Sequence, residues 1–94
     1  MSARYHQKPN LTEQQIGNER MILDEHGDRV HVLNDTAAFI WDCMKEPAAP
    51  DVIETRLRAN YSVPATTDVA ASIRRTITEL LKKGLVVALE DSPA

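Results

Sequence analysis

The side chains capable of metal or nucleophilic chemistry are few and scattered in this sequence. His26 lies in a short polar link and His31 in the β-forming segment that follows it, and Cys43 is the single cysteine. Two histidines without a third ligand do not make a metal site, and one cysteine cannot form an internal disulfide. No phosphate-binding glycine loop, paired-carboxylate motif or serine triad is recognisable. We therefore expect no catalytic residue, no metal and no cofactor, and a function in binding.

Basic side chains are concentrated near the end of the last amphipathic segment. Its apolar stripe comprises Val69, Ile73, Ile77 and Leu80, with Ala70 and Leu81 at one margin and Arg74 just beyond them. An apolar ledge beside a guanidinium suits an apolar ligand side chain next to a carboxylate. The alternative is that Arg74, Arg75, Lys82 and Lys83 form an ordinary solvated face.

Composition limits the class of protein. The chain has 94 residues, of which 43% are hydrophobic and 27% charged, enough for one domain with one core. No apolar stretch reaches membrane-spanning length, and the polar N-terminus does not match a signal peptide, so we expect a cytoplasmic protein without membrane contact. A net charge of −3 argues against general affinity for nucleic acid.

Three β-forming segments precede three helical ones. Strands are predicted at Leu11–Ile16, Arg20–Asp24 and Arg29–Leu33, the last two joined by a hairpin. Alternation places four residues on the core side of that hairpin, with Arg29, His31 and Leu33 pointing away: Met21, Leu23, Val30 and Val32.

Helix boundaries are marked by capping residues. Asn34 or Asp35 caps a first helix that buries Ala37, Ile40, Trp41 and Met44, and Pro50 begins a second with Ile53, Leu57 and Tyr61 on one side. Thr66 or Thr67 caps a third, which runs to Lys83 and is stopped by Gly84 in a Schellman arrangement, before a short strand at Leu85–Leu89. The predicted fold is α+β and winged-helix-like, a three-stranded antiparallel N-terminal sheet followed by a three-helix bundle. Residues 1–10 are predicted to be a flexible lead-in, 11–89 the domain and 90–94 a polar tail.

Two separated motifs resemble those of the PqqD family of peptide chaperones. The run from Val32 to Trp41, VLNDTAAFIW, is similar to the family's strand-to-helix signature with its "LN", "TA" and "IW" pairs, and the run from Ile77 to Val86, ITELLKKGLV, resembles its closing "LxxxGLV" pattern. The resemblance covers about residues 16–87. The sequence departs from the family before the second helix, where Ala48-Ala49-Pro50-Asp51 replaces the usual Thr or Ser cap.

The resemblance implies a leader-peptide recognition element. Members of this family, which includes the PqqD protein of pyrroloquinoline quinone biosynthesis, bind the leader of a ribosomally made precursor peptide as a strand beside their third strand and third helix. A modifying enzyme such as a radical SAM protein is then the second partner. An exposed sheet edge supplies the backbone groups for such pairing, and the adjacent helix supplies pockets. The predicted peptide-binding residues are Arg29, Val30, His31, Val32, Leu33, Ala70, Arg74, Ile77 and Leu81.

Two other functions compete with this interpretation. A winged-helix DNA-binding regulator would use the third helix for recognition, although the acidic net charge argues against it. A regulatory subunit of an enzyme would bind no peptide at all. Because the exposed edge can also pair with its own copy, the sequence is compatible with a monomer or a weak homodimer.

Overall fold

The computed structural model describes residues 3–24, 29–64 and 66–90. The elements in chain order are β1 (Ala3–Gln7), β2 (Leu11–Ile16), β3 (Glu19–Asp24), β4 (Arg29–Leu33), α1 (Asp35–Cys43), α2 (Pro50–Asn60), α3 (Val69–Lys82) and β5 (Val86–Glu90). The predicted α+β class, with a three-stranded antiparallel sheet and three helices, is confirmed.

The main sheet has the strand order β2-β3-β4, so β3 is central and β4 lies at an edge. Gly17 allows the tight β2–β3 turn because its φ of 59° suits glycine far better than other residues. The register pairs Met21 with Val32 and Leu23 with Val30. The hairpin link containing His26 falls outside the described residues.

The predicted inward face of the β3–β4 hairpin is wrong. Ile22 and Leu33 are buried, whereas Val30 and Val32 are 56% and 54% exposed. The paired residues Met21 and Leu23 lie on that same outer face and are half-buried. Since β3 carries apolar residues on both faces, alternation did not decide between them, and packing of Ile22 and Leu33 against the helices did.

The first two helices begin as the sequence indicates. Asn34 caps α1 by accepting a hydrogen bond from the backbone N–H of Ala37 at 2.8 Å. At α2, Ala49 provides no side-chain cap and Pro50 occupies the first turn, where its missing N–H costs no helical hydrogen bond. The departure from the usual Thr or Ser cap is therefore present in the structure.

Helix α3 begins one or two residues later than predicted and ends at Lys82, one residue before the predicted Lys83. Its cap is Asp68, not Thr66 or Thr67, because the Asp68 carboxylate accepts a hydrogen bond from the backbone N–H of Ala71 at 3.0 Å. At the other end the N–H of Leu85 donates to the carbonyl of Leu80, and Gly84 has φ 74°. The predicted Schellman arrangement is confirmed.

The expectation of a flexible lead-in over residues 1–10 is corrected by the structure for Ala3–Gln7. This segment forms β1, which pairs antiparallel with β5 in a separate two-stranded sheet. Tyr5 also exchanges backbone hydrogen bonds with Ala48, the residue preceding the N-cap of α2. The mixed polar sequence of β1 has no clear periodicity, and its conformation depends on partners distant in the chain. Residues 91–94 of the predicted tail lie outside the described residues.

One hydrophobic core lies between the main sheet and the helices. Trp41, Ile22 and Ile73 are fully buried at its centre. Each buried aliphatic side chain of this size contributes about 1.5 to 3 kcal/mol. The core unites residues from β3, β4, all three helices and β5, and thereby holds β4 at a fixed position relative to α3.

Candidate functional site

The outer edge of β4 is free among the described residues. Strand β4 pairs with β3 along one side, and no described strand pairs with its other side. Such an edge presents unpaired backbone N–H and C=O groups that an extended chain can satisfy. The edge is therefore suited to strand addition.

A groove of about 240 Å³ separates this strand from α3. Leu33 and Leu80 are buried at its base, and Ala37 from α1 is half-buried beside them. The residues that line it are Val32, Leu33, Asn34, Ala37, Arg75, Thr76, Glu79, Leu80 and Lys83. The groove thus combines an apolar base with a charged rim.

The structure divides the predicted α3 residues from the predicted β4 residues. Arg74, Ile77 and Leu81 line a second pocket of about 150 Å³ together with Tyr5 and Pro50. On a helical wheel this margin and the Thr76–Lys83 margin lie on opposite sides of the buried stripe. The structure therefore does not bring Arg74, Ile77 and Leu81 together with Val32, although all lie in or near pockets flanking the same helix.

The remaining predicted residues have different environments. Ala70, one turn before Arg74, is half-buried and lines neither pocket, and Val30 is exposed on the outer face of the sheet. Arg29 is exposed, while His31 is half-buried on the inner face of β4. Of the predicted set, Val32 and Leu33 are the two that line the groove.

Sequence reasoning missed the residues on the other margin of α3. Arg75, Thr76, Glu79 and Lys83 recur at helical spacing, which was visible in the sequence. The amphipathic pattern locates the buried stripe but not which margin faces β4. That choice depends on how α3 packs against α1 and the sheet.

His31 has an unusual environment at the edge strand. Its Nε2 atom is shielded from solvent and has no hydrogen-bond partner. Burial lowers the pKa of His31, and the charges of Lys83 and Arg29 lower it further, against a smaller opposing effect of Asp24. Lys83, one of the two charges that lower this pKa, also lines the groove, whereas His31 does not line it.

In the described part of the chain, the cysteine is shielded from solvent and the possible metal ligands do not cluster. Cys43 is buried and unpaired, and burial raises the pKa of its thiol. No three His, Cys, Asp or Glu side chains cluster there in a way that would hold a metal ion. None of the described helices has the length and apolar character needed to cross a membrane.

A family model and one solved structure match this chain. The structure described as "TbiB1 in Complex with the TbiA(beta) Leader Peptide" superposes with a TM-score of 0.76 and 23% identity, over 92% of this chain and 99% of that chain, and supports the fold. No curated protein sequence matches the chain. The family model "Coenzyme PQQ synthesis protein D (PqqD)" matches residues 19–86, which include both motifs that carried the resemblance. The chain accordingly belongs to the PqqD family.

Proposed function

We propose that this protein binds the leader of a ribosomally made precursor peptide as a strand added to β4, and presents it to a modifying enzyme. The observation that carries the proposal is the free edge of β4 beside the groove against α3. Family membership and the similarity in fold to a protein solved with a leader peptide support it.

In this geometry, backbone pairing and side-chain contacts have separate roles in binding. Pairing with β4 supplies affinity with little demand on sequence. Side chains of an added strand alternate between two faces, so every second residue enters the groove above Leu33, Ala37 and Leu80. The intervening residues lie beside Val30 and Val32 on the exposed outer face. Selectivity then comes from the groove.

Binding without catalysis fits this site best. The groove is lined mainly by apolar, amide and hydroxyl groups, and its charged residues lie on the rim. We infer that chemistry on the peptide belongs to the second partner, for which a radical SAM enzyme is our leading candidate, and that the complex forms in the cytoplasm. We also propose the winged-helix class, with α3 lining a peptide groove instead of entering DNA, and a monomer or weak homodimer.

The test is a titration of dye-labelled synthetic leaders of candidate precursor peptides, followed by fluorescence anisotropy. Thr76→Tyr inserts an aromatic ring into the groove and is expected to weaken binding more than tenfold, because steric exclusion removes the site for the peptide side chain. Thr78→Tyr is the matched control, since Thr78 lies on the same helix but lines the second pocket.

Three results would decide between the two sides of α3. Loss of binding by Thr76→Tyr alone supports the groove beside β4. Loss by Thr78→Tyr alone moves the peptide to the pocket with Arg74 and Leu81, as the sequence first indicated. If no leader binds wild-type protein, or neither substitution matters although both variants fold, strand addition at β4 is refuted.

A further inference from the structure

The outer face of the β3–β4 hairpin, which points away from the helices, carries two apolar cross-strand pairs. They are Met21 with Val32 and Leu23 with Val30. The two members on β3 are half-buried, whereas Val30 and Val32 on β4 are 56% and 54% exposed. Exposure of the apolar side chains therefore rises toward the open edge of the sheet.

The number of neighbouring strands explains this difference. Strand β3 has β2 on one side and β4 on the other, whereas β4 has β3 on one side and no described strand on the other. In a strand added to β4, the residues opposite Val30 and Val32 share their face and supply the missing neighbours. This contact is separate from the groove, since Val30 lines neither pocket.

The outer face of β4 lacks the features that protect an open edge strand. Natural edges are blunted by charged side chains, proline or a bulge. Both outward residues of β4 are valine, the strand contains no proline, and its register with β3 runs without a bulge. The charged residue Arg29 shares the other face with Leu33. An apolar row at an open edge indicates that the row is covered when the protein functions.

A second copy of the chain would cover this face poorly. Together with Ile16 at the end of β2, the two pairs offer at most about 300 Å² of apolar surface, since one such side chain exposes about 100 Å² when fully accessible. Two stacked copies would bury about 600 Å², whereas a permanent homodimer buries about 2,000 Å² or more, of which about 65% is apolar. An added strand is the better occupant.

We propose that Val30 and Val32 form a second selective row, which favours leaders with β-branched or aromatic residues at the two positions opposite them. The inference rests on the proposed function and adds to the selectivity of the groove. Inward and outward residues alternate along a strand, so the residue that enters the groove above Leu33 is adjacent to the one opposite Val32. The preferred leader therefore has apolar residues at three of four consecutive positions, and the position opposite His31 is unconstrained.

Selection from a phage-displayed library of random twelve-residue peptides tests this preference. We expect wild-type protein to enrich peptides with the three-in-four apolar pattern. Val30→Lys should change the enriched residue at one end of the pattern, opposite position 30, from apolar to aspartate or glutamate, because opposite charges form favourable cross-strand pairs. The matched control is Val87→Lys, which places the same charge on an exposed valine of β5 that lines neither pocket. This control should enrich the same peptides as wild type.

Fluorescence anisotropy with one enriched peptide measures the size of the effect. Val30→Lys should weaken its binding about two- to fivefold, the range expected for one cross-strand pair. A peptide with glutamate at the position opposite residue 30 should bind Val30→Lys more tightly than it binds wild type. Urea unfolding checks that the variants fold, and Val32→Lys repeats the test at the other outer position if Val30→Lys does not.

The outcomes separate this inference from the proposed function. Enriched peptides that show the Thr76→Tyr effect but lack an apolar preference on the outer row, or that are the same for wild type and Val30→Lys, would overturn the inference and leave the proposed function intact. If no peptide is enriched, or Thr76→Tyr does not affect those that are, the proposed function fails. A wild-type dimer that Val30→Lys dissociates in analytical ultracentrifugation, with unchanged peptide enrichment, would assign the row to a second copy and refute the inference.

Discussion

Arg20 on β3 donates two hydrogen bonds to the Asp42 carboxylate on α1, with distances of 2.7 Å from Nη1 to Oδ1 and 3.0 Å from Nη2 to Oδ2. The same guanidinium also donates to Glu13 at 3.0 Å and to Gln15 at 2.6 Å, both on β2. One side chain thus connects two strands with the first helix. Because β4 pairs with β3, this connection also helps to hold the open edge in place relative to the helices.

Removal of this connection is expected to lower the free energy of unfolding. Arg20→Ala should cost about 2 kcal/mol and Asp42→Ala about 1 kcal/mol, since the first substitution also removes the bonds to β2. Urea unfolding followed by Trp41 fluorescence measures both. The control is Glu54→Ala, which breaks the exposed Arg58–Glu54 pair within α2 and should cost only about 0.3 to 0.5 kcal/mol. An Arg20→Ala cost no larger than that of Glu54→Ala would show that the connection adds little.

The end of α3 depends on the backbone of Gly84. Its φ of 74° is strained for any side chain, although a Cβ there would meet no atom within 4 Å. Gly84→Ala is therefore expected to cost about 1 to 2 kcal/mol through backbone strain alone. Lys83→Ala, at a neighbouring right-handed residue, should change stability by less than about 0.5 kcal/mol. Equal urea midpoints for the two variants would contradict the predicted origin of the helix stop.

The thiol of Cys43 should be unreactive in the folded protein. Burial raises its pKa, so little thiolate is present near neutral pH, and the reagent has no direct access. We expect 5,5′-dithiobis(2-nitrobenzoate) to react with the folded protein in buffer at least about a hundredfold more slowly than with the chain unfolded in guanidinium. Fast labelling of native protein would show that Cys43 is accessible.

Stability should fall when the pH is lowered through the titration range of His31. The pKa of this histidine is lower in the folded protein than its ordinary value near 6.5, so the unfolded chain binds more protons as the pH decreases below that value. The free energy of unfolding then decreases from about pH 7 downward. Urea titrations of wild type and His31→Gln between pH 7.5 and 5.5 should show a smaller dependence of the unfolding free energy on pH for the variant. Parallel curves for wild type and His31→Gln would contradict the prediction.

Local signals in the sequence determined the helices and the family. Asn34 and Pro50 mark helix starts, and Gly84 marks a stop, because capping and left-handed backbone are properties of a few neighbouring residues. The two motifs that carry the family resemblance are likewise continuous segments, and both fall within residues 19–86 of the matching family model.

Tertiary structure decided the features that depend on contacts between distant segments. It determined that Ile22 and Leu33 face the core while Val30 and Val32 face outward. The sequence did not decide this because apolar residues occur on both faces of the β3–β4 hairpin. It also paired β1 with β5, so that the N-terminal segment became a strand.

At the candidate site, too, the sequence predicted the individual elements and tertiary packing decided how they meet. The sequence identified β4 as an edge and located the buried stripe of α3, but it did not specify which margin of that helix faces the strand. The structure places Thr76 and Lys83 beside β4 and Arg74 beside Tyr5. Helical periodicity describes one element about its own axis, whereas the identity of its neighbour depends on the packing of several elements around one core.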